Sequence, residues 1–574
     1  LIATAWLLAE NFTVYNLEVT PDQITGMDKV IDDLARLVQI TDRDVGRFKK
    51  LLKKRPGFER QTLRTNLTDA EAARFAANRQ SFPGVELQAR LQRHYPQGAL
   101  TGHTVGYVGR VSEKDLDRID RKAYSGTEYI GKLGIESQYE DQLLGTVGVE
   151  QVETNAHGRI VRKLSRTPAK AGQDLYLSLD SKLQKAAYEA MGDWRGAVVA
   201  IEPSTGDVLA MVSTPIYDPN PFVEGIGTKA YSALRTDEGR PLLNRALHGR
   251  YAPGSTIKPF MGLAIMQQGF DTSTTVGCPG FYQLPGVKHK YRCWKKHGHG
   301  PMNLHNAVVQ SCDVYFYKRS RDLGITRMNK YLTALGLGVK TGIDLEGEPS
   351  GLIPSKDWKR ATHDQPWYPG ETIIAGIGQG YTLATPLQLA AGTAMLARRG
   401  EQVKPRLVRS VVDPATGDTT DLGIETTAPT VITTPRYYDA VISSMEDVVH
   451  GKRGTARKIG ADSLYRIAGK TGTAQVIAIR QGEKYDEKLI DKKFHDHALF
   501  ISFAPVDNPQ IAIAVVAENG GGGSRTAAPI ARKIMDAYLI DITGQYKRPL
   551  PEPVPAKQPV AVKAPAVAKK PGEA

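Results

Sequence analysis

The chain has 574 residues, 41% hydrophobic and 24% charged, with 56 Gly and 34 Pro, a composition that excludes a disordered chain or a fibrous repeat and allows two or three hydrophobic cores. Its 75 Lys and Arg against 61 Asp and Glu leave a net charge of +14, which suits nucleic acid, anionic lipid or an acidic wall polymer alike. The apolar stretches 1–9 and 511–517 fall short of the roughly 18 residues that span a bilayer, and since the chain starts at Leu1 rather than Met, a signal or anchor is expected to have been removed.

Residues 1–171 alternate short strands with polar helices. Val30, Ile31, Leu34, Leu37 and Val38 mark one helix face, and Thr41 with Asp44 is the expected start of the next helix. That second helix carries Lys49, Lys50, Lys53, Lys54 and Arg55, which reads as a solvated basic face or as a contact with an anionic surface. Near Gln173 the pattern changes. Residues 175–179 are expected as a strand, 181–191 as a helix, and 197–201 with 208–212 as a β-hairpin around the turn-forming 202–207, so a second domain is expected over 172–545. From 546 to 574 the chain is Pro/Ala/Lys-rich with few large apolar residues, the composition of a disordered tail.

In Tyr251-Ala-Pro-Gly-Ser-Thr-Ile-Lys-Pro-Phe260, Ser255 precedes the apolar run 260–266 and is expected at a helix N-terminus, one turn from Lys258. Pro259 fits the first turn, whose amides lack an intrahelical acceptor. A serine needs a base to take its proton, and Lys258 serves only if desolvation and a second positive charge lower its pKa. Lys470, in Arg466-Ile-Ala-Gly-Lys-Thr-Gly-Thr-Ala-Gln475, is the candidate for that charge, on a strand expected at an exposed edge beside a cleft. Gly469 and Gly472 would admit a substrate backbone. Ser311-Cys312-Asp313 lies between the two segments.

The order Ser-x-x-Lys, Ser-x-Asp, Lys-Thr-Gly-Thr, with the hairpin upstream, resembles the penicillin-recognising serine acyltransferases, and the N-terminal part, including Gly131-Lys-Leu-Gly-Ile-Glu136, resembles the pedestal of class B penicillin-binding proteins of the elongation type. The resemblance implies an α/β (α+β) transpeptidase domain with a mainly antiparallel sheet between helices, on an elongated N-terminal pedestal over 1–171. It implies that Ser255 attacks the D-Ala-D-Ala carbonyl of a wall stem peptide, Lys258 accepts its proton and Ser311 passes one to the leaving amine. Lys470 adds positive potential, Thr471 and Thr473 hold the terminal carboxylate, and the backbone amides of Ser255 and Thr473 form the oxyanion hole. The middle motif ends in Asp313 rather than the superfamily's Asn, which either accepts a contact or pairs with Lys258 and opposes its lowered pKa. No cofactor is expected for the chemistry. The implied partners are stem peptides, β-lactams, a RodA-like SEDS glycosyltransferase with other elongation-complex proteins, and the inner membrane through an N-terminal helix, with the catalytic domain in the periplasm. No nucleic-acid motif is present. The rivals are a division-type class B enzyme, a hydrolytic carboxypeptidase or β-lactamase, and a penicillin sensor.

All three cysteines lie in one stretch with several histidines. Cys278, Cys293, Cys312 and His299, with His297 as substitute, form the best set for a structural zinc. A Cys278–Cys293 disulfide or ordinary buried thiols remain alternatives. Relatives hold a metal here with Asp, His and Cys, and aligning on Trp294 and Gly298-His299-Gly300 places Cys278 and Cys293 where those carry Asp.

Overall fold

The computed structural model describes residues 1–3, 6–53, 56–124, 127–155, 160–426, 431–477, 489–541 and 543–545. The expected tail 546–574 and the basic-helix residues Lys54 and Arg55 lie outside these. Among the described residues no helix is long and apolar enough to cross a membrane.

The N-terminal part centres on an antiparallel sheet in which β1 (Glu10–Val19) runs between β2 (Gln61–Leu67) and β3 (Val85–His94). Three helices cover it: α1 (Met27–Leu34), α2 (Asp42–Leu52) and α3 (Asp69–Asn78). Helix α2 starts at a capping box of Thr41 and Asp44, and α3 at one of Thr68 and Glu71; such caps contribute about 1 kcal/mol each. Helix α1 stops at Leu34 instead of continuing to Val38. The Leu37 and Val38 amides both close onto the Leu34 carbonyl, at 2.9 and 3.0 Å, in a turn that still buries Val38. Leu17, Leu34, Phe48, Leu63 and Phe75 form the centre of this core. On the basic face Lys49 pairs with Asp28 at 2.9 Å.

A second, larger core begins with α4 (Ser181–Met191), capped by Asp180. Its sheet contains β4 (Gly196–Ile201) and β5 (Val208–Thr214), the expected hairpin, together with β8 (Ala468–Ala474), β9 (His497–Ala504) and β10 (Ile511–Ala517). The order is β5-β4-β10-β9-β8 and every pairing is antiparallel. Strands β4, β5 and β10 are buried at every position, which explains why they read as unbroken apolar runs: both sheet faces are covered. Helix α4 packs with α9 (Ala527–Leu539) as one covering layer, while α7 (Pro386–Ala397) packs on β10 and α8 (Pro435–His450) on β8. Helix α5 (Lys258–Gln267) lies against α8 and is buried all round from Lys258 to Met266. Leu1, Leu8, Tyr95 and Ile135 also join this larger core, so the base of the N-terminal part is packed into it.

Strand β8 ends the sheet and borders a cleft through Thr471, Gly472 and Thr473, as its sequence suggested, although most of its residues are buried. The turn before α5 and helix α8 pack on it, leaving Ala468–Gly472 and Ala474 buried. A short hairpin, β6 (Phe281–Gln283) with β7 (Lys290–Arg292), precedes α6 (Asp313–Leu323).

Candidate active site

Ser255 sits in a single 3₁₀ turn, Gly254–Ile257, that feeds directly into α5, so Lys258 is the first α-helical residue and Pro259 occupies the first turn. Gly254 (φ +52°) is required where this turn touches β8, since a Cβ there would stand 2.3 Å from the Thr473 carbonyl oxygen. Around Ser255 opens a cleft of about 570 Å³ whose walls include Trp294, Ser311, Asp313, Thr471, Gly472 and Thr473. The three segments singled out in the sequence therefore meet in one place.

Lys258 and Lys470 are both fully buried and converge on Ser311. Lys258 Nζ donates to Ser311 Oγ at 3.2 Å, to the Ser311 carbonyl at 3.0 Å and to Asp313 Oδ1 at 2.7 Å. Lys470 Nζ donates to Ser311 Oγ at 3.0 Å and to the Thr471 carbonyl at 2.9 Å. Among the described residues no hydrogen bond joins Lys258 to Ser255 Oγ; the amine points to the middle motif instead. Two buried amines thus share one hydroxyl, and of the two only Lys258 reaches a carboxylate. Burial, and then the neighbouring Lys258 amine, hold Lys470 well below the ordinary lysine value. Burial pushes the Asp313 carboxyl up against the opposing pull of Lys258. Of the two alternatives for Asp313, the pairing with Lys258 is the one present, while Lys470 meets no carboxylate.

Ser311 holds this junction in a left-handed conformation (φ +54°), which costs a non-glycine residue about 1–2 kcal/mol. Three further contacts had no role in the sequence reading. Thr455 and Thr471 hydroxyls meet at 2.9 Å, and Gln379 Nε2 donates to the Thr473 carbonyl at 2.9 Å. The Trp294 indole N–H reaches the Gln310 and Ser311 carbonyls.

Beside the cleft, Cys278, Cys293, His299 and Cys312 bring one sulfur or nitrogen atom each to within 4.8 Å of the others. His299 Nδ1 lies 3.6 Å from Cys278 Sγ and 3.5 Å from Cys293 Sγ, and its Nε2 is buried without a partner. A hydrogen bond between Cys293 and Cys312 holds the Cys293 thiol down and pushes that of Cys312 up. All three cysteines are free thiols, so the Cys278–Cys293 disulfide is not formed. His297 is exposed and is not part of the cluster.

Comparison with known proteins decides the family. Residues 196–536 match the model of the penicillin binding protein transpeptidase domain, and residues 3–177 that of the penicillin-binding protein dimerisation domain. The chain belongs to the class B penicillin-binding proteins. This penicillin-binding protein is 44% identical over 538 residues to the peptidoglycan D,D-transpeptidase MrdA of Acinetobacter baumannii, covering 93% of the chain and 79% of that relative. It is similar to a crystal structure of Pseudomonas aeruginosa PBP2 in complex with WCK 5153, with 47% identity, a TM-score of 0.71, and coverage of 81% of this chain and 94% of that one. It is also similar to PBP2 of Helicobacter pylori in its complex with MreC, with 31% identity, a TM-score of 0.81, and coverage of 92% and 95%. The mixed helix and antiparallel-sheet fold of this penicillin-binding protein is that of its family.

Proposed function

We propose that the chain is a peptidoglycan D,D-transpeptidase that joins wall stem peptides during cell elongation through a Ser255 acyl-enzyme, and that β-lactams acylate the same serine. The observation that carries this reading is the convergence of two buried lysines on Ser311 beside Ser255 in one cleft. The relatives' names support the elongation role over a division role. Residues 1–171 serve as pedestal and 172–545 as transpeptidase domain.

In this mechanism Ser255 Oγ attacks the D-Ala-D-Ala carbonyl, and the backbone amides of Ser255 and Thr473 receive the developing oxyanion. Each such donor is worth about 3 kcal/mol in the transition state. The Thr471 and Thr473 hydroxyls hold the terminal carboxylate, with Thr455 orienting Thr471, and Gly472 admits the substrate backbone. Ser311 Oγ stands between the two amines, so it can take a proton from Lys258 while giving its own to Lys470, whose neutral form burial favours. Lys258 is then free to accept the Ser255 proton, with Asp313 as its counter-ion. The returning proton passes from Lys258 through Ser311 to the leaving amine and D-alanine departs. The amine of a second stem peptide then attacks the acyl carbonyl, its proton returning through Ser311 and Lys258 to Ser255 Oγ as the ester C–O bond breaks and the amide crosslink forms.

Incubation with nascent uncrosslinked strands is expected to yield crosslinked muropeptides with one D-alanine released per crosslink. D-alanine release without crosslinks identifies a hydrolytic carboxypeptidase instead.

The three thiols and one imbedded imidazole nitrogen suit a closed four-ligand zinc centre, in which Cys278, Cys293, His299 and Cys312 are the ligands. Zinc there supplies structure rather than chemistry, since Cys312 lies between Ser311 and Asp313 and Cys293 precedes Trp294. Elemental analysis is expected to find about one zinc per chain, and its removal by a chelator to lower the thermal midpoint. A metal content far below one per chain removes this part of the reading. The further partners are a RodA-like SEDS glycosyltransferase and other elongation-complex proteins. An N-terminal helix tethers the chain to the inner membrane and places the enzyme in the periplasm; the MreC complex of the Helicobacter pylori relative supports an elongation assembly.

A further inference from the structure

Trp294 stands just beyond β7, more than half exposed on the cleft wall, yet three hydrogen bonds tie it to Gln310, Ser311 and Asp313. Its backbone N–H donates to Asp313 Oδ2 at 3.1 Å, and its indole N–H is shared between the Gln310 carbonyl at 3.0 Å and the Ser311 carbonyl at 3.1 Å. The Ser311 carbonyl also accepts from Lys258 at 3.0 Å, so one oxygen is gripped from two sides. The grip falls on the one residue of the site whose backbone needs support. Ser311 is in the left-handed region at φ +54°, and such a conformation persists only where its surroundings over-determine it. The indole is itself placed from behind: its ring packs edge-on to His299 at 5.4 Å, and the preceding Cys293 amide is held by the Gly280 carbonyl at 2.8 Å.

We propose that Trp294 is a positioning residue for acylation: its indole N–H fixes the Gln310–Ser311 backbone and thereby sets Ser311 Oγ between the Lys258 and Lys470 amines. If Ser311 relaxes toward an ordinary conformation, its hydroxyl leaves the line on which both 3.2 and 3.0 Å contacts are made, and the proton exchange between the lysines is broken. Trp294 acts through Ser311 and touches none of the reacting atoms. The inference rests on the proposed acyl-transfer reading of the cleft.

The test uses the full chain carrying Trp294→Phe and, separately, a benzothienylalanine at position 294, which keeps the shape of the indole and replaces its N–H by sulfur. Single-turnover acylation by benzylpenicillin separates the acylation rate constant from the dissociation constant of the non-covalent complex. Both variants are expected to lose about 10-fold or more in the rate constant, as for a mispositioned proton-transfer group. The dissociation constant should stay within about 3-fold and the thermal midpoint should be unchanged. A rate constant equal to that of the unaltered chain overturns the assignment while leaving the acyl-enzyme reading intact. A loss confined to the dissociation constant also overturns it, by making Trp294 a binding surface. If the phenylalanine variant fails to fold, the isosteric variant decides. An unaltered chain that forms no adduct overturns the reading of the cleft and this inference with it.

Discussion

Exchanging Lys258 for methionine is expected to slow acylation by benzylpenicillin about 10³-fold and to destabilise the fold by about 3–5 kcal/mol. The rate falls because the proposed acceptor of the Ser255 proton is gone. The stability falls for a separate reason. Lys258 is fully buried, Asp313 nearly so, and their 2.7 Å pair is the only ion pair Asp313 makes among the described residues. Removing one partner leaves a buried carboxyl with a single remaining donor, the Trp294 amide. Chemical denaturation separates the two effects. Lys258→Met combined with Asp313→Leu should recover part of the lost stability, the rest being the Trp294 N–H left without its acceptor, and should recover none of the acylation. A double variant no more stable than the single one contradicts the pairing.

The second large effect is expected at Lys470, and its signature is pH. Buried without a carboxylate partner, this amine has its pKa well below the ordinary value of 10.5 in the folded state. Between that depressed value and about 10.5 the unfolded chain binds a proton that the folded chain does not, so Lys470 makes folding stability rise with pH over that window. Below the depressed value both states are protonated and the slope from this group vanishes. Acylation should share the acid limb, since the proton exchange through Ser311 requires a neutral amine on one of the two lysines. Lys470→Met, which keeps the bulk of the side chain, is expected to lower the acylation rate about 10²–10³-fold and to flatten the rise of stability with pH. Urea unfolding at a series of pH values measures the slope. If the variant keeps both the slope and the acid limb of acylation, Lys470 is not the group responsible.

What was readable in the sequence follows from which interactions are local. The hairpin over 196–214, the Thr41–Asp44 capping box and the turn that sets Lys258 one turn after Ser255 depend on neighbours within a few positions. The clustering of cysteines with His299 was legible from proximity alone, whereas the exclusion of His297 depends on how the chain turns at Gly298 (φ +78°). The end of α1 at Leu34 was missed because Val38 remains buried outside the helix, so burial and helical spacing part company there. The direction of the Lys258 amine depends on a left-handed Ser311 some fifty positions away, which no spacing rule signals in a non-glycine residue. The roles of Trp294, Gln379 and Thr455 were hidden for the same reason. Each makes its contact to a residue brought near only by the closed fold.

The central claim is that Ser255 forms a lasting acyl-enzyme. Intact mass spectrometry of the unaltered chain and of Ser255→Ala after exposure to benzylpenicillin tests it most directly. One penicilloyl group per chain, persisting over the assay and absent from the alanine variant, is the predicted result. An adduct that also forms on the alanine variant, or rapid release of penicilloic acid with no lasting adduct on either chain, would contradict it.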